Sequence, residues 1–163
     1  MTAERIVIDA AEDARWAALV SSRPSSVFHA PAWLRVLRDT YGFDLQAAML
    51  LEDHEPVAGI AYAEISDMMD PRRVSLPFSD FCDPIVADPA HWDQLVSPLL
   101  DRGDAKFRLR CLFNEIPATD IRFDAVSRAK WHGIELGIGP DALWGQIHSS
   151  ARRAIRKARS QGV

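Results

Sequence analysis

The chain has 163 residues, of which 48% are apolar, and its 19 basic and 23 acidic side chains give a formal net charge of −4. These values are typical of one globular domain, 1–163, and exclude a disordered chain, a collagen-like repeat and a polybasic nucleic-acid tail. The charge is unevenly distributed, since residues 1–149 hold 14 basic and all 23 acidic side chains, a net charge of −9, whereas residues 150–163 hold five cations and no acid.

The length of apolar runs and the number and spacing of Cys and His residues indicate where the protein is found and whether it binds a metal. No apolar run reaches the ~18–20 residues of a membrane span, and the mixed, acid-containing start is unlike a signal peptide. The two cysteines, Cys82 and Cys111, are fewer than a secreted scaffold of this size usually carries. We therefore expect a cytoplasmic protein with both thiols reduced. Neither C-x-x-C nor H-x-x-x-H spacing occurs, so no metal site is predicted.

The first part of the chain predicts two helices and a hairpin. The first helix runs from Asp9 to Ser22, with Asp9 as its N-cap and Glu12 at the capping-box spacing. The second begins near Pro31, which suits a first helical turn, and ends at Gly42. The period of the apolar residues then changes to that of strands, which are predicted over Leu45–Glu52 and Val57–Ile65.

The rest of the chain predicts short strands between two further helices. The helices cover Asp88–Leu100 and about Asp141–Gln161, the second with a bend at Ser149–Ser150. The strands are Arg73–Leu76, Phe107–Phe113, Ile121–Phe123 and Trp131–Leu136. Asp141 suits a helix N-cap or first turn. The element order predicts a mixed β-sheet flanked by helices in an α+β or α/β domain.

The last predicted helix carries a cluster of five cations. Arg152, Arg156 and Arg159 share one face at i, i+4 and i+7, and Arg153 and Lys157 lie on the adjacent face. Like charges at this spacing repel, so the cluster costs the helix some stability. One interpretation is a site for phosphates or a polyanion. The other is a solvated terminal helix whose positive charge suits the helix C-terminus.

Two aspartates bracket Cys82 in a segment that is rich in phenylalanine. Asp80 and Asp83 could supply a general base, because burial and a like-charged neighbour raise the pKa of a carboxyl group. Phe78 is a candidate substrate contact beside them. The alternative is a loop in which both carboxylates accept hydrogen bonds from backbone amides.

A third candidate group precedes the second helix. His29 could be an acid, a base or a phosphate contact, and Trp33 could stack on a ligand. The alternative for His29 is a helix cap or a packing residue, and for Trp33 a place in the core.

Four segments together resemble the first half of FemAB-type proteins, relatives of the GNAT acyltransferases. They are VFHAPAWLRVLRDTYG, PVAGIAYAEIS, RRVSLPFSDFCDPIV and SSARRAIRKARSQGV, in that order, within residues 27–163. The resemblance implies a bacterial protein with a GNAT-like fold, usually the first of a tandem pair. It implies acyl or aminoacyl transfer to an amine of a peptidoglycan or exopolysaccharide precursor, with this chain as the acceptor-binding half.

Charge, position and the resemblance together suggest roles for the candidate residues. Asp80 or Asp83 would orient or deprotonate the amine, and His29, Trp33 and Phe78 would contact the substrate. The helix at 141–161 would connect to a second domain and hold the phosphates of a nucleotide-sugar or lipid-linked acceptor, through Arg152, Arg153, Arg156 and Lys157. No tightly bound cofactor is expected, and the acyl donor would be aminoacyl-tRNA or acyl-CoA.

The sequence departs from the family in two respects. It holds no Arg/Gln-x-x-Gly-x-Gly/Ala loop, which argues against ordinary acetyl-CoA chemistry, and it stops where a second domain would follow. The chain is expected to be either a fragment or a natural half-length protein, completed by the missing domain or by another copy. The alternative function is a binding half-domain without catalysis. A nucleic-acid module is disfavoured by the acidic body, although tRNA stays open as a partner.

Overall fold

The computed structural model describes residues 3–66, 70–103 and 105–162. Met1 and Val163, which bound ranges of the sequence analysis, lie outside this part. The chain divides into two compact units, 1–126 and 127–163, and each is described by itself. The single domain expected over 1–163 stays a prediction.

The first unit is built on a five-stranded mixed sheet. The strands are β1 (Glu4–Asp9), β2 (Asp44–Glu52), β3 (Glu55–Ile65), β4 (Arg72–Val74) and β5 (Lys106–Arg108). They lie in sequence order, and all neighbours are antiparallel except β4 and β5, which are parallel. A two-residue turn at Asp53 and His54, both with positive φ, joins β2 to β3, as hairpin twist requires.

Helices cover both faces of this sheet. They are α1 (Ala14–Ser22), α2 (Pro31–Tyr41), α3 (Pro89–Asp101) and the short α4 (Ile116–Thr119). Side chains of β2 alternate between two cores, as the pleat dictates: Ala47 and Met49 pack with α1 and α2, whereas Ala48 and Leu50 pack with α3. The predicted mixed sheet flanked by helices is confirmed.

The second unit consists of two helices and the segment before them. A short 3₁₀ turn at Leu136–Ile138 precedes α5 (Pro140–Gln146) and α6 (Ser149–Ser160). The predicted bend near Ser149 is therefore a break between two helices. Asp141 lies in the first turn of α5, while Gly139 is its N-cap. None of the described side chains of this unit is buried.

The start of the chain differs from the prediction. Strand β1 was not predicted, although its alternating pattern with β-branched residues is a strand signal. The prediction of Asp9 as a helix N-cap was wrong, because its side chain accepts a hydrogen bond from the amide of Ala11 in a turn. The helix begins at Ala14, and Asp13 is its cap, accepting from the amide of Arg15 at 2.9 Å.

Three predicted strands in the second half were too long or absent. The strand over Phe107–Phe113 ends at Arg108 because side chains, rather than a neighbouring strand, satisfy the following amides: Ser75 Oγ accepts from Arg110, and Asp83 accepts from residues 112–114. The segment Ile121–Phe123 is a turn closed by Asp120. The segment Trp131–Leu136 forms no strand, and its side chains are exposed, so no sheet buries them.

Candidate functional site

A pocket of about 660 Å³ lies in the first unit. Most of its lining comes from loops, at residues 23–26 after α1, between 81 and 88 before α3, and at 113–114, and the end of β2, β3 and the first turn of α3 contribute one residue each. Its wall is largely apolar, and two rings, Phe81 and Phe113, meet edge to face with their centroids 5.5 Å apart. The ionisable groups that line it are Arg23, His29, Glu52, Asp83, Asp88 and His91. An apolar pocket with a few convergent polar groups is the usual form of a small-molecule site.

Asp83 organises one wall of the pocket. Its Oδ1 accepts hydrogen bonds from the amides of Leu112, Phe113 and Asn114 at 2.9, 3.0 and 2.8 Å. The side-chain nitrogen Nδ2 of Asn114 donates to the carbonyls of Pro84 and Val86. The alternative of a carboxylate that binds backbone amides thus describes Asp83, which lies in the pocket wall.

His29 is buried behind this wall and has both ring nitrogens in hydrogen bonds. Nε2 lies 2.7 Å from the carbonyl of Asp83 and must donate, so Nδ1 accepts from the amide and the hydroxyl of Ser26. Burial is the main cause that lowers the pKa of His29, and the carbonyl of Asp83 opposes it. The ring therefore caps the turn at Val27–His29 and links this turn to the backbone at Asp83.

A second histidine of the pocket was not singled out by the sequence. His91 is the third residue of α3, and its Nε2 lies 3.1 Å from Oε1 of Glu52 at the end of β2. The two side chains are 39 positions apart in the chain, so no local spacing connects them. Their partial burial, at 22% and 38% exposed, keeps them accessible to a ligand.

The other predicted contacts of the first unit lie outside the pocket. Asp80 is exposed, and Trp33 donates from Nε1 to the hydroxyl of Ser79 at 3.0 Å. Phe78 stacks on Tyr41 with 4.5 Å between ring centroids and is 60% exposed. The structure thus brings His29 and Asp83 together and leaves these three apart from them. The functional roles of all five stay predictions.

The predicted basic helix is α6 of the second unit. Within residues 127–162 as described, none of Arg152, Arg153, Arg156, Lys157 and Arg159 forms an ion pair with a carboxylate. The guanidinium carbons of Arg156 and Arg159 lie 5.8 and 5.9 Å from the centroid of the Trp144 ring on α5. An aromatic ring thus lies against the cationic face, which the spacing of α6 alone does not predict.

Metal binding needs a cluster of ligating side chains, and membrane crossing needs a long apolar helix. In residues 3–66, 70–103 and 105–162, no group of three or more His, Cys, Asp or Glu side chains is arranged to hold a metal ion. No helix of the same residues is long and apolar enough to cross a bilayer.

The comparisons with known proteins find similarity among solved structures. No protein-family model matches the chain, and no curated protein matches it. Among solved structures, it is similar to a ribosomal-protein-alanine N-acetyltransferase from Brucella melitensis biovar Abortus 2308, with a TM-score of 0.46 and 15% sequence identity. The match covers 83% of this chain and 100% of that one. A likeness at this level assigns neither a family nor an activity.

Proposed function

We propose that this chain is the acceptor-binding part of an N-acyltransferase related to FemAB-type proteins. The observation that carries the proposal is the pocket itself, an apolar cavity of about 660 Å³ with a histidine–carboxylate pair at its wall. Transfer of an acyl group to an amine needs a site that desolvates the amine and accepts a proton from it. The sequence resemblance supports the reaction class.

The acceptor would be an amine of a cell-wall or polysaccharide precursor, and the donor an aminoacyl-tRNA or an acyl-CoA. Both would be used in the cytoplasm. The Arg/Gln-x-x-Gly-x-Gly/Ala loop typical of acetyl-CoA binding does not occur in the sequence, which favours aminoacyl-tRNA. A second domain or another copy of the chain would complete the donor site.

A pocket-filling variant tests this function. Ala87 is exposed and lines the pocket, so Ala87→Trp should block it with little strain on the core. The purified protein would be incubated with charged tRNA or acyl-CoA and with a panel of amines, and amide products would be detected by mass spectrometry. We expect product with the wild type and loss of it with Ala87→Trp.

Ala32→Trp is the matched control, because Ala32 is exposed on α2 and does not line the pocket. It should leave product formation unchanged. Equal activity of the two variants, or no amide product with any donor and amine, would contradict the proposed function.

The alternative function is polyanion binding without catalysis, and α6 favours it. Its cations lack carboxylate partners in the described part of the unit, so their charge is available to a ligand. Arginine binds phosphates in bidentate geometry, which suits a nucleotide-sugar diphosphate, a lipid diphosphate or tRNA.

Paired substitutions on and off the helix test this binding. Arg152→Ala with Arg153→Ala should weaken binding of a uridine-diphosphate sugar and of tRNA, measured by titration at several salt concentrations. Arg128→Ala with Lys130→Ala removes the same charge from the second unit outside its helices. Equal affinities of the two double variants would contradict a specific role of α6.

A further inference from the structure

The ionisable groups of the pocket differ in what their hydrogen bonds leave available. His29 uses both ring nitrogens internally, and Asp83 binds three amides with one oxygen. Asp88 caps α3 by accepting from the amide of Ala90. Arg23 carries a fixed positive charge and cannot accept a proton. The pair of Glu52 and His91 is therefore the group best placed to exchange a proton with a ligand.

The geometry of this pair fixes which nitrogen of His91 is free. When Nε2 donates to the carboxylate of Glu52, a neutral imidazole carries its lone pair on Nδ1. No hydrogen bond to Nδ1 is found among the described residues. A carboxylate that holds an imidazole in this way sets its tautomer and stabilises the imidazolium that forms on protonation.

We propose that His91, oriented by Glu52, is the general base that deprotonates an acceptor amine bound in the pocket. The inference rests on the proposed acyl transfer and adds a residue and a substrate class to it. The acceptor is a primary amine on an apolar body, because Phe81, Phe113 and Val57 offer apolar surface while Glu52 and Asp88 attract an ammonium group.

The co-reactant of the amine is an activated acyl ester or thioester. Nδ1 of His91 removes one proton from the ammonium and releases it to solvent. The neutral nitrogen attacks the acyl carbonyl, the C–N bond forms, and the bond from that carbon to oxygen or sulfur breaks. The second N–H proton leaves with this oxygen or sulfur as an alcohol or thiol.

The kinetic test compares two histidine-to-glutamine variants. Glutamine can still donate to Glu52 but cannot take a proton, so His91→Gln should lower kcat/KM by about 10²–10⁴-fold. The rate of the variant should then rise with pH only as the amine deprotonates by itself, so the loss should shrink at high pH. His132→Gln, at an exposed position of the second unit, is the matched control.

Glu52→Gln should give a smaller loss than His91→Gln, since it disturbs only the orientation and charge of the ring. The thermal unfolding of each variant is measured first, to confirm that it folds. A wild-type rate and an unchanged pH profile in folded His91→Gln would overturn the inference while leaving acyl transfer intact.

A binding test separates the inference from the proposed function. Benzylamine and the neutral benzyl alcohol are titrated into the full chain with isotope-labelled histidine, and the ring resonances of His91 are followed by NMR. Charged hydrogen bonds should give benzylamine at least about tenfold higher affinity, and Glu52→Gln should reduce the difference. Equal affinity of the two probes, or unperturbed His91 resonances, would overturn the amine site. Selective amine binding without amide product from any donor would support the site and contradict the acyltransferase.

Discussion

The two units of this chain are opposites in burial and in charge. Residues 1–126 hold 12 basic and 21 acidic side chains, a net charge of −9, and enclose two apolar cores. Residues 127–163 hold seven basic and two acidic side chains, a net charge of +5, and their described part buries no side chain. The first unit thus has the means to fix a pocket, whereas the second presents charge on local helices.

This contrast shows that stability and binding potential depend on different features here. Burial of apolar surface is the main source of folding free energy, so the substitutions that lower the free energy of unfolding most should be those in the first unit. Electrostatic binding needs exposed charge, so substitutions in α6 should change affinity with little effect on unfolding.

The largest expected effect compares one tryptophan from each unit. Trp16 is fully buried and donates from Nε1 to the carbonyl of His29 at 2.9 Å, so Trp16→Ala should cost about 3–5 kcal/mol. Trp144 contacts two guanidinium groups at a partly buried position, so Trp144→Ala should cost about 0.5–1 kcal/mol. Urea unfolding followed by circular dichroism measures both. Similar losses of unfolding free energy in the two variants would contradict the contrast in burial between the units.

The second prediction is that a methyl group added to a glycine lowers stability in the first unit and raises it in the second. A Cβ on Gly59 would lie 2.8 Å from Leu19 Cδ2 and 3.0 Å from the ring of Trp16, so Gly59→Ala should cost about 1–3 kcal/mol through overpacking. A Cβ on Gly145 of α5 would meet no atom of the described residues within 4 Å beyond its own helix, and Gly145→Ala should raise helix stability by about 0.5–1 kcal/mol. The midpoint of unfolding tests the first variant and ellipticity at 222 nm the second. A stabilising Gly59→Ala would contradict the close packing of α1.

The third effect concerns acid stability of the first unit. The guanidinium of Arg122 is the main cause that lowers the pKa of Asp120 to about 2, and hydrogen bonds from the Arg122 amide and the indole of Trp92 add to it. Because the folded pKa lies below the unfolded one, this stabilisation is present above the unfolded value and is lost as the pH falls toward 2.

Asp120→Asn should therefore lower stability at pH 7 by about 1 kcal/mol, after allowance for solvent screening, and by much less near pH 2. Unfolding by urea at several pH values measures this. Asp124→Asn is the control, since Asp124 is exposed. A pH-independent loss would show that the carboxylate charge is not what stabilises the turn.

The smallest effect tests the cost of the cation cluster. Arg153 and Lys157 are one turn apart on α6, so Arg153→Glu replaces a repulsion by an attraction worth about 0.2–0.5 kcal/mol. Ellipticity at 222 nm should rise slightly, and the gain should diminish with added salt. Arg153→Gln removes the repulsion alone and should lie between the two. A decrease in helicity would show that the repulsion does not limit α6.

Sequence patterns predicted the parts of the fold that local periodicity controls. The second helix, its left-handed Gly42 and the β2–β3 hairpin follow from spacing, capping and turn residues. The region after Arg108 could not be predicted in this way. Whether its amides join a strand depends on Ser75 and Asp83, which lie far earlier in the chain and reach it only in the folded state.

The candidate site was predicted in part for the same reason. Asp83 and His29 stand out locally, and both lie at the pocket. Glu52 and His91 carry no local signal, since one ends a strand and the other begins a helix, and only the tertiary fold brings them to 3.1 Å. A histidine in the first turn of a helix that packs on a strand ending in glutamate is the pattern that could have suggested the pair.

Gly59 has a consequence for how such a protein can diversify. The amide of Gly59 donates to the carbonyl of Ile85 in the pocket wall at 2.9 Å, and its carbonyl accepts from the amide of Ile85 at 2.8 Å. Because Gly59 has no side chain, α1 can pack closely on the sheet at this position. One wall of the pocket is thus tied to the packing of a helix, and changes there would disturb both. Substitutions that change what the pocket holds should therefore be tolerated best at Ala87 and Phe113, whose side chains are exposed at its rim.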